Sequence, residues 1–213
     1  DYEGELAAII DHTLLKPEAT PADIAGLCCQ AREYGFASVC VHPCYVPAAY
    51  ELLSGSPVAV CTVVGFPLGA NAPHVKAQEA ALAVREGASE VDVVMNAGLF
   101  LGGRKDLVLK DLEGVVRAAR RETPGAVIKV ILETCLLNEK EKIEACRLAA
   151  AAGANFVKTS TGFGKSGATV QDVALLKRTV GPGVGVKASG GIRDLSTALA
   201  MLRAGADRLG TSS

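Results

Sequence analysis

Lys158 and Lys187 each stand near the end of an apolar run that glycine then interrupts, in Asn155-Phe156-Val157-Lys158-Thr159-Ser160-Thr161-Gly162 and in Val184-Gly185-Val186-Lys187-Ala188-Ser189-Gly190-Gly191. Side chains alternate along a strand, so Phe156, Lys158 and Ser160 share one face, and Gly185, Lys187 and Ser189 share one face of the second run. Lysine is almost never fully buried unless something pairs with it or uses it. One use is nucleophilic attack on a carbonyl to form a Schiff base. An ordinary lysine, with a pKa of about 10.4, is protonated and unreactive at neutral pH. Burial and a second ammonium group both lower that value. Were the two nitrogens roughly 6 Å apart, an effective dielectric near 20 gives about 2.8 kcal/mol of repulsion, enough to lower one pKa by roughly two. The alternative for Lys158 is a plain buried ion pair with Asp92 or Glu133.

Other polar residues fall near strand ends on the expected inward faces. Asp92 is suited to offset positive charge and to hold a water or hydroxyl for proton transfer. Glu133, Asp11, Thr13 and Cys40 are candidates for lining the same pocket. Lys129 shares a face with Glu133 but lies four residues earlier, roughly 13 Å deeper, and reads as a structural lysine. Gly190-Gly191 and Gly210-Thr211-Ser212-Ser213 follow two successive strands, where backbone N–H groups and hydroxyls can cradle a phosphate. Thr161 and Gly162 supply a third side.

What must position these groups is a regular alternation. Expected strands lie at 11–13, 37–41, 58–64, 90–96, 127–133 and 206–210, together with the Lys158 and Lys187 runs, with residues 6–10 leading into the first. Expected helices lie at 20–34, 47–53, 73–86, after Gly103, at 138–152, 169–180 and 193–204. The joints Gly87-Ala88, Gly153-Ala154 and Gly205-Ala206 suit short loops with glycine helix stops. Alternating strands and helices mean a parallel sheet covered by helices, and eight strands favour a closed (β/α)8 barrel in a single domain over 1–213. A doubly wound open sheet is the alternative, but no Gly-x-Gly-x-x-Gly follows the first strand. A covering helix would be expected after the last strand, and the sequence as given ends at Ser213 without one.

The chain has 213 residues, 49% of them hydrophobic, with 22 basic and 23 acidic residues and a net charge of -1. That balance offers no electrostatic case for nucleic acid or an anionic membrane. No apolar run reaches the roughly 18 residues of a membrane span, and the expectation is a cytoplasmic protein. Seven cysteines without a Cys-x-x-Cys pair, and His12, His42 and His74 scattered, suggest neither a disulfide framework nor a metal site. No cofactor is expected.

Asp11-His12-Thr13-Leu14-Leu15, Glu90-Val91-Asp92-Val93-Val94-Met95-Asn96, Val157-Lys158-Thr159-Ser160-Thr161-Gly162 and Val186-Lys187-Ala188-Ser189-Gly190-Gly191 closely resemble the deoxyribose-phosphate aldolase family, in order and over about 10–213. The resemblance implies a metal-free class I aldolase that reversibly cleaves 2-deoxy-D-ribose 5-phosphate to glyceraldehyde 3-phosphate and acetaldehyde. It implies Lys158 as the imine-forming lysine, Lys187 as the lysine that perturbs it, and Asp92 in a proton relay. Gly190, Gly191, Ser212 and Ser213 fall on the family's phosphate site, and Phe163 stands where some members have lysine. A homodimer or higher homo-oligomer is the implied assembly. Another lysine-dependent sugar-phosphate aldolase, or a barrel that binds such a sugar without turning it over, remains open at this point.

Overall fold

β-branched residues crowd the strands and capped amphipathic segments separate them, so the chain alternates as the sequence predicts. In the computed structural model, which describes residues 2–212, α1 (Tyr2–Ala7) precedes β1 (Ile10–Leu14), α2 (Pro21–Tyr34), β2 (Ser38–Val41) and α3 (Val46–Leu53). Then come β3 (Ala59–Val64), α4 (Pro73–Arg85), β4 (Glu90–Val94), α5 (Ala97–Leu101), α6 (Lys105–Glu122) and β5 (Val127–Ile131). The chain continues through α7 (Glu139–Ala151), β6 (Phe156–Lys158), α8 (Val170–Val180), β7 (Gly185–Ser189), α9 (Leu195–Ala204) and β8 (Arg208–Ser212).

Each strand pairs in parallel with the next, and β8 returns to pair with β1, closing a (β/α)8 TIM barrel. Short local signals set the helix ends. Thr20 and Asp23 form a reciprocal capping box at α2, and Gly35 stops that helix with a left-handed φ of 70°. Asn138 and Glu141 do the same at the start of α7. Val91 and Val93, which alternate with Asp92 on β4, bury themselves with Leu112 and Val115 of α6 in the layer between sheet and helices. Each such side chain contributes about 1.5–3 kcal/mol by leaving water. The opposite alternation sends Asp92, Lys129 and Lys158 into the barrel, where the sheet meets itself and charge must pair.

Four local expectations are corrected. Residues 2–7 form a helix, where 6–10 read as a lead into the strand; Leu6 packs on the core and Glu3 and Glu5 favour the helix start. The strand expected to reach Asn96 ends at Val94, because Asn96 accepts a bond from the Leu99 N–H and starts α5. The strand expected to reach Glu133 ends at Ile131, since Glu133 adopts a φ of 55° and turns into a short 3-10 helix. β8 lies two residues later than expected, because pairing with β1 sets Thr13 opposite Ser212. No helix among the described residues is long and apolar enough to cross a membrane.

Candidate active site

Register brings the two lysines together. Lys158 on β6 and Lys187 on β7 are direct partners across neighbouring strands, at the same height and on the same inward face. Asp92 on β4 completes the arrangement: its Oδ2 accepts from Lys158 Nζ at 3.0 Å and from Lys187 Nζ at 2.9 Å. The two nitrogens are therefore at most 5.9 Å apart. Lys129 Nζ donates to the other oxygen, Asp92 Oδ1, at 2.9 Å, and lies 2.6 Å from Glu90 and 3.4 Å from Asp11. Asp11 also accepts from Lys187 at 2.6 Å and from Arg208 at 2.8 Å, and Arg208 reaches Glu90 at 2.9 Å.

Among the described residues this interior cluster sets four cations against three carboxylates, so one positive charge is in excess when all are ionised. The pairing is uneven. Lys129 meets three carboxylates, Lys187 two, and Lys158 one. Burial alone pushes the Lys187 ammonium down, but Asp11 and Asp92 outweigh it and hold its pKa above the ordinary lysine range. Burial would likewise raise Asp92, yet Lys129, Lys187 and Lys158 hold its carboxyl well below the usual range. Lys187 and Asp92 therefore remain a fixed cation and a fixed anion near neutrality.

A cavity of about 250 Å³ opens above the cluster, and Lys158 lines it. Lys187 and Asp92, both fully buried, lie beneath its floor. Thr13, Thr161 and Gly162 line the cavity too, as do Gly190, Gly191, Gly210 and Ser212. Ser213 lies outside the described residues. The other three candidates do not reach it. Asp11 is taken up by Lys187 and Arg208 lower in the barrel, and Cys40 packs in a buried interior group with Leu15, Cys61 and Val63. Glu133 turns sideways instead: its carboxylate accepts from the Thr161 N–H at 3.2 Å and the Thr161 hydroxyl at 2.5 Å, holding the loop that carries Gly162. Lys129 is structural in its burial, as expected, but belongs to the same charge cluster rather than to a separate layer.

The loops after β6 and β7 are laced to each other. Ser189 Oγ donates to the Ser160 carbonyl at 2.7 Å, Thr159 Oγ1 donates to the Ser189 carbonyl, and the Ala168 N–H reaches the Gly190 carbonyl. Glycine is required at position 190, where φ is 84° and an added Cβ would sit 2.9 Å from the Gly167 Cα. Glycine at 210 serves Lys187 as well as the cavity, since a Cβ there would lie 3.0 Å from Lys187 Cε and 3.1 Å from Ser189 Cβ. Phe66 packs edge-on against Phe163 at 5.5 Å and closes one flank. Its loop is anchored by fully buried Lys76, which donates to the carbonyls of Gly69 and Val94 and to Asp111.

Sequence reasoning missed Arg208, Glu90 and Cys61 in the cluster, and Leu15, Lys16 and Ile192 around the cavity. Alternation from Gly210 carried the signal for Arg208, and alternation from Asp92 that for Glu90. Cys40, Cys61 and Asp92, and likewise Asp11, Cys61 and Glu90, bring ligand-type atoms within 4.8 Å of one another. Lys129 Nζ already stands among them, 3.3 Å from Cys61 Sγ, supplying the positive charge that a cation would.

A family model described as DeoC/LacD family aldolase matches residues 6–213. The chain is 57% identical over 211 residues to a deoxyribose-phosphate aldolase of Geobacillus sp. (strain WCH70), covering 99% of this chain and 93% of that one. A solved structure described as QR15, an aldolase, superposes with a TM-score of 0.91 at 44% identity, covering 98% of this chain and 91% of the other. The deoxyribose phosphate aldolase of Aeropyrum pernix, described as having a unique tetrameric structure, superposes with a TM-score of 0.91 at 39% identity, covering 98% and 87%. With its closed barrel, its lysine pair under one cavity and this match over nearly the whole length, the chain belongs to the DeoC/LacD family of aldolases.

Proposed function

We propose that the enzyme reversibly cleaves 2-deoxy-D-ribose 5-phosphate to glyceraldehyde 3-phosphate and acetaldehyde through an imine on Lys158. The observation that carries this reading is that Lys158 combines one carboxylate partner with access to the cavity. Its neutral amine attacks C1 of the open-chain sugar, and loss of water leaves a protonated imine. Removal of the C3 hydroxyl proton lets the C2–C3 bond break. The bonding electrons pass into the imine, forming an enamine as glyceraldehyde 3-phosphate departs. Protonation of the enamine at C2 and hydrolysis release acetaldehyde and restore the amine.

Lys187 keeps its charge throughout, while Asp92 holds the cluster together and assists proton movement at Lys158. The phosphate rests against the Gly190-Gly191 turn, Gly162 and Ser212, which line the same cavity. A phosphorylated substrate, held to one side of a membrane by its charge, fits an enzyme of the cytoplasm. A homo-oligomer is the assembly we favour, supported by the tetramer described for the Aeropyrum pernix relative.

Donor choice tests the reaction. Acetaldehyde is expected to condense with glyceraldehyde 3-phosphate, and dihydroxyacetone phosphate to give no product in its place. Preference for the ketose donor would assign a different lysine-dependent aldolase, and no aldehyde release at all would leave only a binding barrel. A second prediction concerns Gly210. Gly210→Ala pushes on Lys187 Cε and Ser189 and is expected to lower kcat up to ~10²-fold, the cost of a small misplacement at a reacting centre. Steady-state rates together with an unaltered circular dichroism spectrum check it.

A further inference from the structure

The cavity above Lys158 takes a doubly charged group yet has few full charges to meet it. A phosphate monoester carries about -1.5 to -2 at pH 7. Of the residues lining the cavity, Lys158 and Lys16 are the charged ones, and Lys158 is committed to Asp92 and to the aldehyde end of the substrate. Phe163 lines the cavity on the side of the β6 loop with an apolar, half-exposed ring. At the start of α9, Asp194 already places a carboxylate, accepting from the Thr197 N–H at 2.7 Å. Asp194 and Arg193 both border the adjoining cavity shared with Thr211 and Ser212, so the charges there offset each other.

Lys16 follows β1, the strand next to β8, and lines the same cavity as Gly190, Gly191 and Ser212. Its backbone is held: the Leu15 carbonyl lies 2.7 Å from His42 Nε2, the Lys16 carbonyl accepts from the Ala19 N–H at 3.1 Å, and Pro17 restricts the residue before it to extended backbone. Its side chain is exposed and, among the described residues, no ion pair or hydrogen bond engages the ammonium. We propose that Lys16 is the charge partner of the substrate's phosphate, and so the residue that makes the enzyme prefer a phosphorylated sugar to the free one. The loop amides and Ser212 supply direction; Lys16 supplies the charge that Phe163 does not. An ammonium on a flexible stem acts as a point charge on phosphate, which suits a group meeting the anion from the rim.

This inference rests on the phosphate lying at the Gly190-Gly191 turn, so its test separates the two. Values of kcat/KM are measured for 2-deoxy-D-ribose 5-phosphate and for 2-deoxy-D-ribose with wild type, Lys16→Met and Lys16→Arg. In Lys16→Met the ratio of phosphorylated to free sugar is expected to fall about tenfold or more, through KM, and Lys16→Arg to recover most of it. Inhibition by inorganic phosphate should weaken in parallel. An unaltered ratio, or a loss shared equally by both sugars, overturns the inference. If wild type cleaved neither sugar, the proposed reaction would fall instead. Inorganic phosphate would then still decide on Lys16: raising the wild-type melting temperature more than that of Lys16→Met supports it, and raising both equally overturns it.

Discussion

Lys158→Leu is expected to yield a folded protein whose kcat for aldehyde release is lower by about 10⁴-fold or more, the scale of removing a covalent nucleophile. Folding should survive because Asp92 keeps its bonds to Lys187 and Lys129 when Lys158 is gone. Leucine is shorter than lysine and carries no charge, but it leaves no carboxylate without a cation, because Asp92 still meets Lys129 and Lys187. The substitution further removes the cluster's one excess positive charge. Reduction with borohydride in the presence of acetaldehyde gives the complementary result: wild type acquires one ethyl group, located on Lys158 by peptide mass spectrometry, and Lys158→Leu acquires none in the barrel. An ethyl group on Lys187 or Lys129 instead would move the imine to that residue. Lys187→Leu should cost nearly as much in kcat while leaving the trapping site at Lys158.

Asp92→Asn has the larger effect on the fold. Asp92 bridges Lys129, Lys158 and Lys187 with its two oxygens, so removing its charge leaves four buried or half-buried cations facing only Asp11 and Glu90. Breaking a buried pair from one side typically costs about 3–5 kcal/mol, and denaturant unfolding of Asp92→Asn should show a loss of that order. The pH dependence follows from the same carboxyl. Its folded pKa lies well below the ordinary value, so as pH falls the unfolded chain takes up the proton first. Its stabilising contribution is therefore complete above about pH 4 and is lost as pH drops further, toward the folded value. Asp11, lowered by the same kind of neighbours once burial is outweighed, acts in the same direction. Wild type should lose stability steeply below about pH 4, and Asp92→Asn less steeply, since one of the two titrating groups is gone. An equal slope in both proteins would mean that Asp92 is not the anion the cluster depends on.

Much of this was legible without coordinates, and particular residues show why. Two lysines followed by glycine turns announced strand ends, and strict alternation put Asp92, Lys158 and Lys187 on inward faces because the side-chain period of a strand is two. Eight alternating units announced the closed sheet. Less local features were not legible. Glu133 looked like pocket lining by the same alternation, but a left-handed backbone at that residue breaks the period and sends its carboxylate to Thr161. Asn96 looked like the end of a strand and is a helix cap, since a short polar side chain can bond to backbone in either setting.

The residue order by itself determined the eight strands, the main helices between them and, within the strands, which side chains face inward, all consequences of periodicity and local capping over a few neighbouring positions. Only the tertiary structure decided which inward residues meet. That Lys158 and Lys187 share one oxygen of Asp92, that Asp11 and Arg208 join the same charge cluster, and that Lys16 lines one cavity with the glycine turns all depend on the register with which the sheet closes. Register is set by every strand and helix packing at once, so no single stretch of sequence contains it.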